Sequence, residues 1–292
     1  MSYVETAVIS PAARRRRLLV RRFRRRPMAV AGLTVVVIFV LTAIFAPLIA
    51  PYAPGDTDFF HTLAQPSRDH LLGTDALGRD VFSRLVYGAR ASMLAGFLAT
   101  MLAMAIAVPI GLVAGYYRGL VDPVISRFTD ALLAFPFLIL AVGLAAILGP
   151  SLLNATLALG IGAVPGLVRV ARGEALQLRE EDYVRAAVAN GGSDLTILGR
   201  HVLPNMTSTL IVQATITIPG AIVGEAVLSF LGLGVQPPTP SWGVMLEDAQ
   251  SYLTQAPRLA VYPGLAIVFA ALAFNLLGDG LRDALDPRLR GN

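Results

Sequence analysis

Glu225 is the residue best placed to do chemistry in this sequence, because it is the one acid deep inside a long apolar run. An acidic side chain left unpaired at the centre of a membrane helix costs about 2.5–3.5 kcal/mol on an insertion scale, so it must face protein or water. Two roles fit such a group. It can relay a proton or cation, or it can hold helices together by hydrogen bonding to Ser229, four residues on, or to Asn275 in the last apolar run. The structural role is the expectation, since a single acid is a poor ion-coupling device. The three histidines, His61, His70 and His201, are scattered over different segments and none begins an H-E-x-x-H pair. There is no G-x-S-x-G nucleophile elbow. With no cysteine, disulfides and cysteine-ligated metals are excluded. All 24 basic residues are arginine, so the lysine of an ATP-binding phosphate loop is missing. A membrane-embedded enzyme would need paired polar groups at matching depth. Glu225 and Asn275 are the best pair available, and they make a poor active site. No catalytic residue and no metal ligand is expected.

The elements that must position Glu225 follow from composition. Of 292 residues, 55% are hydrophobic and only 15% charged, where a soluble domain carries about 25% charged residues. Mean hydropathy is +0.66. A helix rises about 1.5 Å per residue and must cross about 30 Å of hydrocarbon, so spans appear as runs of about 20 apolar residues. Such runs are 28–50, 91–117, 205–231 and 259–278. The uncharged stretch 131–168 is too long for one span, and Gly149-Pro150-Ser151 with Asn154 divides it into two helices joined by a tight outer turn. The expectation is an all-α membrane bundle of six transmembrane helices.

Arginine placement orients the bundle. Nineteen of the 24 arginines fall in segments 1–27, 116–130, 169–204 and 279–292, and five fall in 51–90 and 232–258. The arginine-rich segments are expected inside, with both termini cytoplasmic. The cluster Arg14 to Arg17 with Arg21, Arg22 and Arg24 to Arg26 reads as a topogenic anchor against anionic lipid, not as a nucleic-acid patch, because no folded basic domain accompanies it. Nucleic acid is not an expected partner.

Small residues lie where helices would pack. Gly111 and Gly115, Gly162 and Gly166, and Gly220 and Gly224 form three G-x-x-x-G pairs, each expected to bring backbones close. Pro109, Pro136, Pro165 and Pro219 fall inside the spans, where freed backbone groups need neighbouring protein or a wet cavity. A kinked, well-packed bundle and a translocation pathway both fit these features.

The most informative polar segment is 169–204. Glu180, Glu181 and Asp182 favour a helix start through capping and the macrodipole. Gly191-Gly192 ends that helix, and Ser193 or Asp194 can cap a second short one carrying Leu195, Ile197, Leu198 and Val202. Two short helices with a glycine joint form a compact knob. Either a soluble partner grips it or it rests on lipid.

Here the residues resemble a known family. Arg185-Ala186-Ala187-x-x-x-Gly191 followed by Val202-Leu203-Pro204-Asn205 is similar to the EAA loop of ABC-importer permeases, with Arg185 where the motif has its glutamate. His70 to Asp75, Gly78 to Val81 and Tyr87 to Arg90 resemble the segment before the second helix of dipeptide/oligopeptide/nickel permeases. Glu225 to Gly234, Gln236-Pro237-Pro238 and Ser241-Trp242-Gly243 resemble their fifth-helix exit, and Asn275 to Asp283 with Asp286-Pro287-Arg288 their C-terminal signature. The long outer segment points to the "C" type of the two subunits.

The resemblance implies a type I ABC-importer permease fold in a bacterial inner membrane, importing dipeptides or oligopeptides, with nickel or another small solute as the alternative. It divides the chain into a cytoplasmic segment 1–27, a first helix 28–50, an extracytoplasmic segment 51–90 and a permease core 91–290. It implies a homologous second permease, two ATPase subunits that hold ATP and Mg, and an extracytoplasmic solute-binding protein. This chain would carry no cofactor of its own. The coupling helix would be about 182–190, with Asp182, Tyr183, Arg185, Ala186, Ala187, Gly191 and Pro204 shaping the coupling loop. An ion-coupled secondary transporter or channel, with Glu225 as its coupling site, is the rival class; it would favour an inverted repeat, and none is evident.

Overall fold

The computed structural model describes residues 21, 23–117 and 119–285. Arg14 to Arg17, Arg22 and Asp286-Pro287-Arg288 lie outside the described residues. Nine helices carry the argument: α1 (Pro27–Ile44), α2 (Val81–Tyr117), α3 (Val121–Leu133), α4 (Phe137–Leu148), α5 (Leu152–Arg179), α6 (Asp182–Ala189), α7 (Leu203–Phe230), α8 (Trp242–Ala249) and α9 (Arg258–Leu285). Apart from one isolated bridge between Thr74 and Asp80, no strand pairing occurs among the described residues.

Each expected span has its helix, but boundaries and continuity differ. α1 starts with Pro27 in its first turn, where a missing N–H costs nothing. It stops at Ile44 instead of running to residue 50, and a separate single turn, Ala46–Ile49, follows. Pro47 cannot donate to Ala43, which explains the break. α2 begins ten residues before the expected start, at Val81, because Arg84 and Arg90, which bound the apolar run, lie inside the helix, Arg84 buried.

The larger departure is between residues 121 and 148. α3 and α4 meet at 86° across Ala134-Phe135-Pro136, where one continuous helix from residue 131 was expected. Pro136 removes a helical donor and disfavours helical geometry at Phe135, so the chain turns there. α4 alone has 12 residues, about 18 Å of rise, too short to cross a bilayer. α3 carries Asp122 and Asp130, and α5 holds them through Arg172 and through Arg169, 2.7 Å from Asp130. Among the described residues five helices are long and apolar enough to cross a membrane, and a sixth crossing is reached when the bent pair is one broken span. The tight turn after α4 is as expected: Gly149 is left-handed at φ 88°, Ser151 Oγ accepts from Asn154 N, and the Asn154 amide donates to Leu148 O and Gly149 O.

Packing of the bundle rests on small residues, though not on all the expected pairs. α2 and α5 run parallel and make the most extensive pairing. A Cβ on Gly111 would lie 2.6 Å from the Ala171 side chain, and one on Gly115 2.6 Å from Ala175, so only glycine admits this approach. In the other two pairs only one member packs closely. Gly162 meets Phe137 and Gly224 meets Leu159, whereas Gly166 and Gly220 face open space. α1 packs on α9, with Gly32 against the Ala273 backbone and Gly280 against Ala29. Pro109, Pro165 and Pro219 sit inside helices; Pro136 does not, being the cap of α4, and Pro263 is a further internal proline.

Candidate functional site

Two ends of the bundle carry polar architecture. At one end the 169–204 segment folds onto the tips of α2, α5 and α7. Glu181 stands at the N-cap position of α6 without a side-chain capping bond, its carbonyl accepting from Val184 and Arg185 N–H, and Asp182 is exposed in the first turn. Val184 is fully buried in a cluster with Tyr116, Ala175, Ile197, Leu198, Val202 and Met206, with Ala187 half-buried beside it. Tyr116 donates to Asp194 at 3.1 Å, and the Arg179 guanidinium lies 5.6 Å from the Tyr116 ring. Asn190, Gly191 and Gly192 N–H groups return to the carbonyls of Ala186, Val188 and Ala187, closing the helix. That closure needs φ 75° at Gly191, a left-handed geometry that costs other residues energy through their Cβ. The space around Gly191 is open, so conformation and not crowding demands the glycine.

The second short helix is shorter than expected: Asp194–Ile197 passes into a π-helical turn, Leu198–Val202, that leads straight into α7. Ser193 precedes it, but its hydroxyl pairs with Thr196 Oγ1 at 2.8 Å instead of capping the backbone. Pro204 stands in the first turn of α7, where it needs no donor. Outward from this anchored base the knob presents Tyr183, Ala186, Val188 and Leu195, the last 83% exposed. Arg185 is exposed and pairs with Glu180 at 2.5 Å, which raises the guanidinium pKa above its ordinary value. Partial burial, followed by the charges of Glu181 and Glu174, raises the Tyr183 phenol.

At the opposite end Glu225 is fully buried on α7. Ser92 of α2 donates to its Oε2 and Ser229 to its Oε1, both at 2.7 Å, and Ser241 offers a third hydroxyl. Each of these serines also receives a backbone N–H: Ser92 from Trp242, Ser229 from Val235, and Ser241 from Val244. One carboxyl group thus ties α2, α7 and the start of α8 together. Ser229 was one of two expected partners; Asn275, the other, is exposed on α9 and makes no contact with Glu225.

A second polar cluster at this end has no counterpart in the sequence reading. Asp75 accepts from Arg79 Nε at 2.6 Å and from Arg84, and both arginines reach Asp248 of α8 at 2.9 Å. Arg84 is 2% exposed and Asp75 8% at the side chain. His70 bonds Asp80, whose other oxygen caps Ser83 N at the start of α2. Arg258 Nη2 pins the outer segment through Leu63 O and Ala64 O. The i, i+4 spacing of Asp75 and Arg79 was a readable signal; Asp248 lies 164 residues beyond Arg84 and gives none. Among the described residues no three His, Asp or Glu side chains gather as a metal site.

Helices long and apolar enough to cross a membrane, buried polar clusters at one end and an anchored, protruding helix at the other describe a polytopic membrane subunit. The chain belongs to the family of binding-protein-dependent transport system inner membrane components, whose profile matches residues 107–291. The N-terminal transmembrane domain of oligopeptide transport permease C matches residues 15–66. It is a non-catalytic, multi-pass inner-membrane permease of the peptide branch of ABC importers. It is 44% identical to the dipeptide transport system permease protein DppC of Alkalihalophilus pseudofirmus, over 92% of this chain and 89% of that protein. It is 46% identical to the glutathione transport system permease protein GsiD of Escherichia coli O6:K15:H31, over 93% and 90%. In fold it is similar to a chain of the inward-facing MetNI methionine ABC transporter, at TM-score 0.60 and 20% identity over 70% of this chain and 97% of that one.

Proposed function

We propose that this chain is one of two permease subunits of an ATP-driven importer for dipeptides or other short peptides, coupled to its ATPase subunits through α6. The observation that carries the coupling role is the knob itself: a short helix locked at its base by Val184 and closed by a left-handed Gly191, with Tyr183, Val188 and Leu195 facing out. A helix merely resting on lipid needs no such anchorage to α5 and α7. The peptide assignment is supported by the names of the relatives, one for dipeptides and one for glutathione, itself a tripeptide. Nickel or another small solute is the alternative within this family.

In this reading both termini and 169–204 are cytoplasmic, and 51–90 with 232–258 form the face that receives an extracytoplasmic binding protein. Segment 1–27 is then the cytoplasmic lead-in, α1 the first crossing, and 91–290 the permease core, with α2 reaching back to Val81. ATP and Mg belong to the partner ATPase subunits. Movement of those subunits pushes α6, and the shared cluster around Val184 passes the push to α5 and α7. The bundle then alternates between outward and inward access. The test is Ala187→Trp in the assembled complex. Ala187 lies half-buried at the junction of α6 with its base, so a bulky ring there tilts the helix. Retention of the ATPase subunits should fall severalfold while the chain still inserts; unchanged retention would remove α6 from the docking role.

A further inference from the structure

At its α6 end α7 turns one largely polar face to a concavity of about 990 Å³: Asn205, Ser208, Thr209, Val212, Gln213 and Ile216 follow the helical spacing of a single side, and all of them line it. The opposite wall is the end of α5, where Glu174 and Gln177 stand one turn apart, and Arg282 of α9 closes a side. Glu174 accepts from Thr209 at 3.1 Å, joining the walls at one point. Among the described residues neither the Gln177 nor the Gln213 side-chain amide has a hydrogen-bond partner. In hydrocarbon that arrangement is costly; lining a water-filled space it is not.

The concavity does not stop at Ile216. The same residue lines a smaller cavity of about 200 Å³, bounded by Thr100, Phe137, Leu159, Thr217 and Gly220, further toward the Glu225 end. Gly220, which packs against nothing although it belongs to a G-x-x-x-G pair, lies seven residues from Gln213 on the same side of α7. The polar face, the free amides and the open Gly220 therefore follow one side of α7, along a groove made of two adjoining cavities that share Ile216.

We infer that this groove is the inner half of the solute path, and that Gln177 and Gln213 are its contact points for a solute carrying amide groups. A side-chain amide both donates and accepts, matching the alternating donors and acceptors of a peptide backbone without fixing its sequence. The inference rests on the permease reading above and names the wall that reading leaves unassigned.

This chain has no cysteine, so single cysteines report without background from this subunit. Four variants are made in the complex with its co-purifying subunits: Gln213→Cys, the near-isosteric Ser208→Cys, Ile38→Cys on the exposed face of α1, and Val188→Cys on α6. Each is treated with a charged, membrane-impermeant thiosulfonate, with and without trapping of the ATPase subunits in their ATP-bound form. Positions 208 and 213 should label at least tenfold faster than position 38 without nucleotide, and at least tenfold slower once trapped. No labelling at either position in an active complex would overturn the inference, placing the face against the second permease. Equal labelling in both states would also overturn it, reducing the groove to ordinary surface. Position 188 keeps the two readings separate, because it should be shielded by ATPase subunits and become reactive when they are stripped off. Shielding there with silence at 208 and 213 sinks the path and leaves the coupling role standing. Gln213→Leu should then lower dipeptide uptake at least fivefold with the ATPase subunits still bound; undiminished uptake removes the amide contact.

Discussion

The Glu225 end and the α6 end of the bundle solve opposite problems. At the Glu225 end, charged and hydroxyl groups are paired across three helices and two long loops: buried Asp75, Arg79 and Arg84 with the partly exposed Asp248 in one cluster, where Arg84 Nε stays without a partner, and Glu225 with its serines in the other. At the α6 end the ion pairs Arg185–Glu180 and Arg169–Asp130 are exposed, a concavity opens beside the contact of α5 with α7, and apolar side chains face outward. Exposed ion pairs contribute little to stability and break cheaply, whereas buried ones hold a fixed geometry because losing one partner strands a charge. The comparison teaches that this chain is braced by buried polar contacts at one end and open at the other, where the proposed coupling to ATPase subunits would act.

The bracing breaks most severely at Asp75. Asp75→Ala leaves Arg79 and Arg84 sharing one partly exposed acid, and removing one member of a buried ion cluster costs about 3–5 kcal/mol. Little folded protein should be recovered, as judged by a fluorescence-detected melt in detergent. Next comes Glu225→Leu, which strips the acceptor from Ser92 and Ser229; stranded buried donors cost about 1–3 kcal/mol. Glu225→Gln should restore most of the loss, because an amide oxygen still accepts. An ion-coupling role makes the opposite demand: Gln would then abolish transport as fully as Leu.

At the α6 end, Gly191→Val forces a β-branched residue to φ 75°, a strain of about 1–3 kcal/mol. Assembly should survive while uptake separates from ATP hydrolysis. Gly191→Asn, which tolerates the left-handed region, should retain much more uptake, and equal loss in both variants would contradict the conformational argument. The smallest effect is at Asp58, which accepts from His61 at 2.7 Å and from Phe60 N–H and is held below its ordinary carboxylate pKa by these bonds. A carboxyl depressed on folding stabilises above its unfolded pKa of 3.8, and that contribution is lost as pH falls through the lower folded value. A carboxyl-carbon NMR titration should show the low value and its return toward ordinary in His61→Ala.

How much of this was legible in the sequence depends on the range of each contact. Glu225 announced itself because an acid in an apolar run must be explained, and Ser229 was readable one turn away. Ser92, 133 residues distant, and Asp248 were not, since nothing local marks a partner brought in by helix packing. The knob was readable because its signals are local: acids at a helix start, two glycines at its end. The bend at Pro136 was missed because an uncharged stretch shows where a chain is apolar and not where it turns. Gly166 and Gly220 share the spacing of packing glycines, and only the structure separates those that pack from those that face open space.

The most direct test of the proposed coupling of this permease subunit to ATPase partners is to purify the chain gently from its native membrane and identify what comes with it. A second permease and one or two ATPase chains, retained through the α6 end, are the predicted companions. Recovery of this chain alone or as a homo-oligomer, transporting in ATP-free vesicles, would contradict the account and make it a channel or ion-coupled carrier.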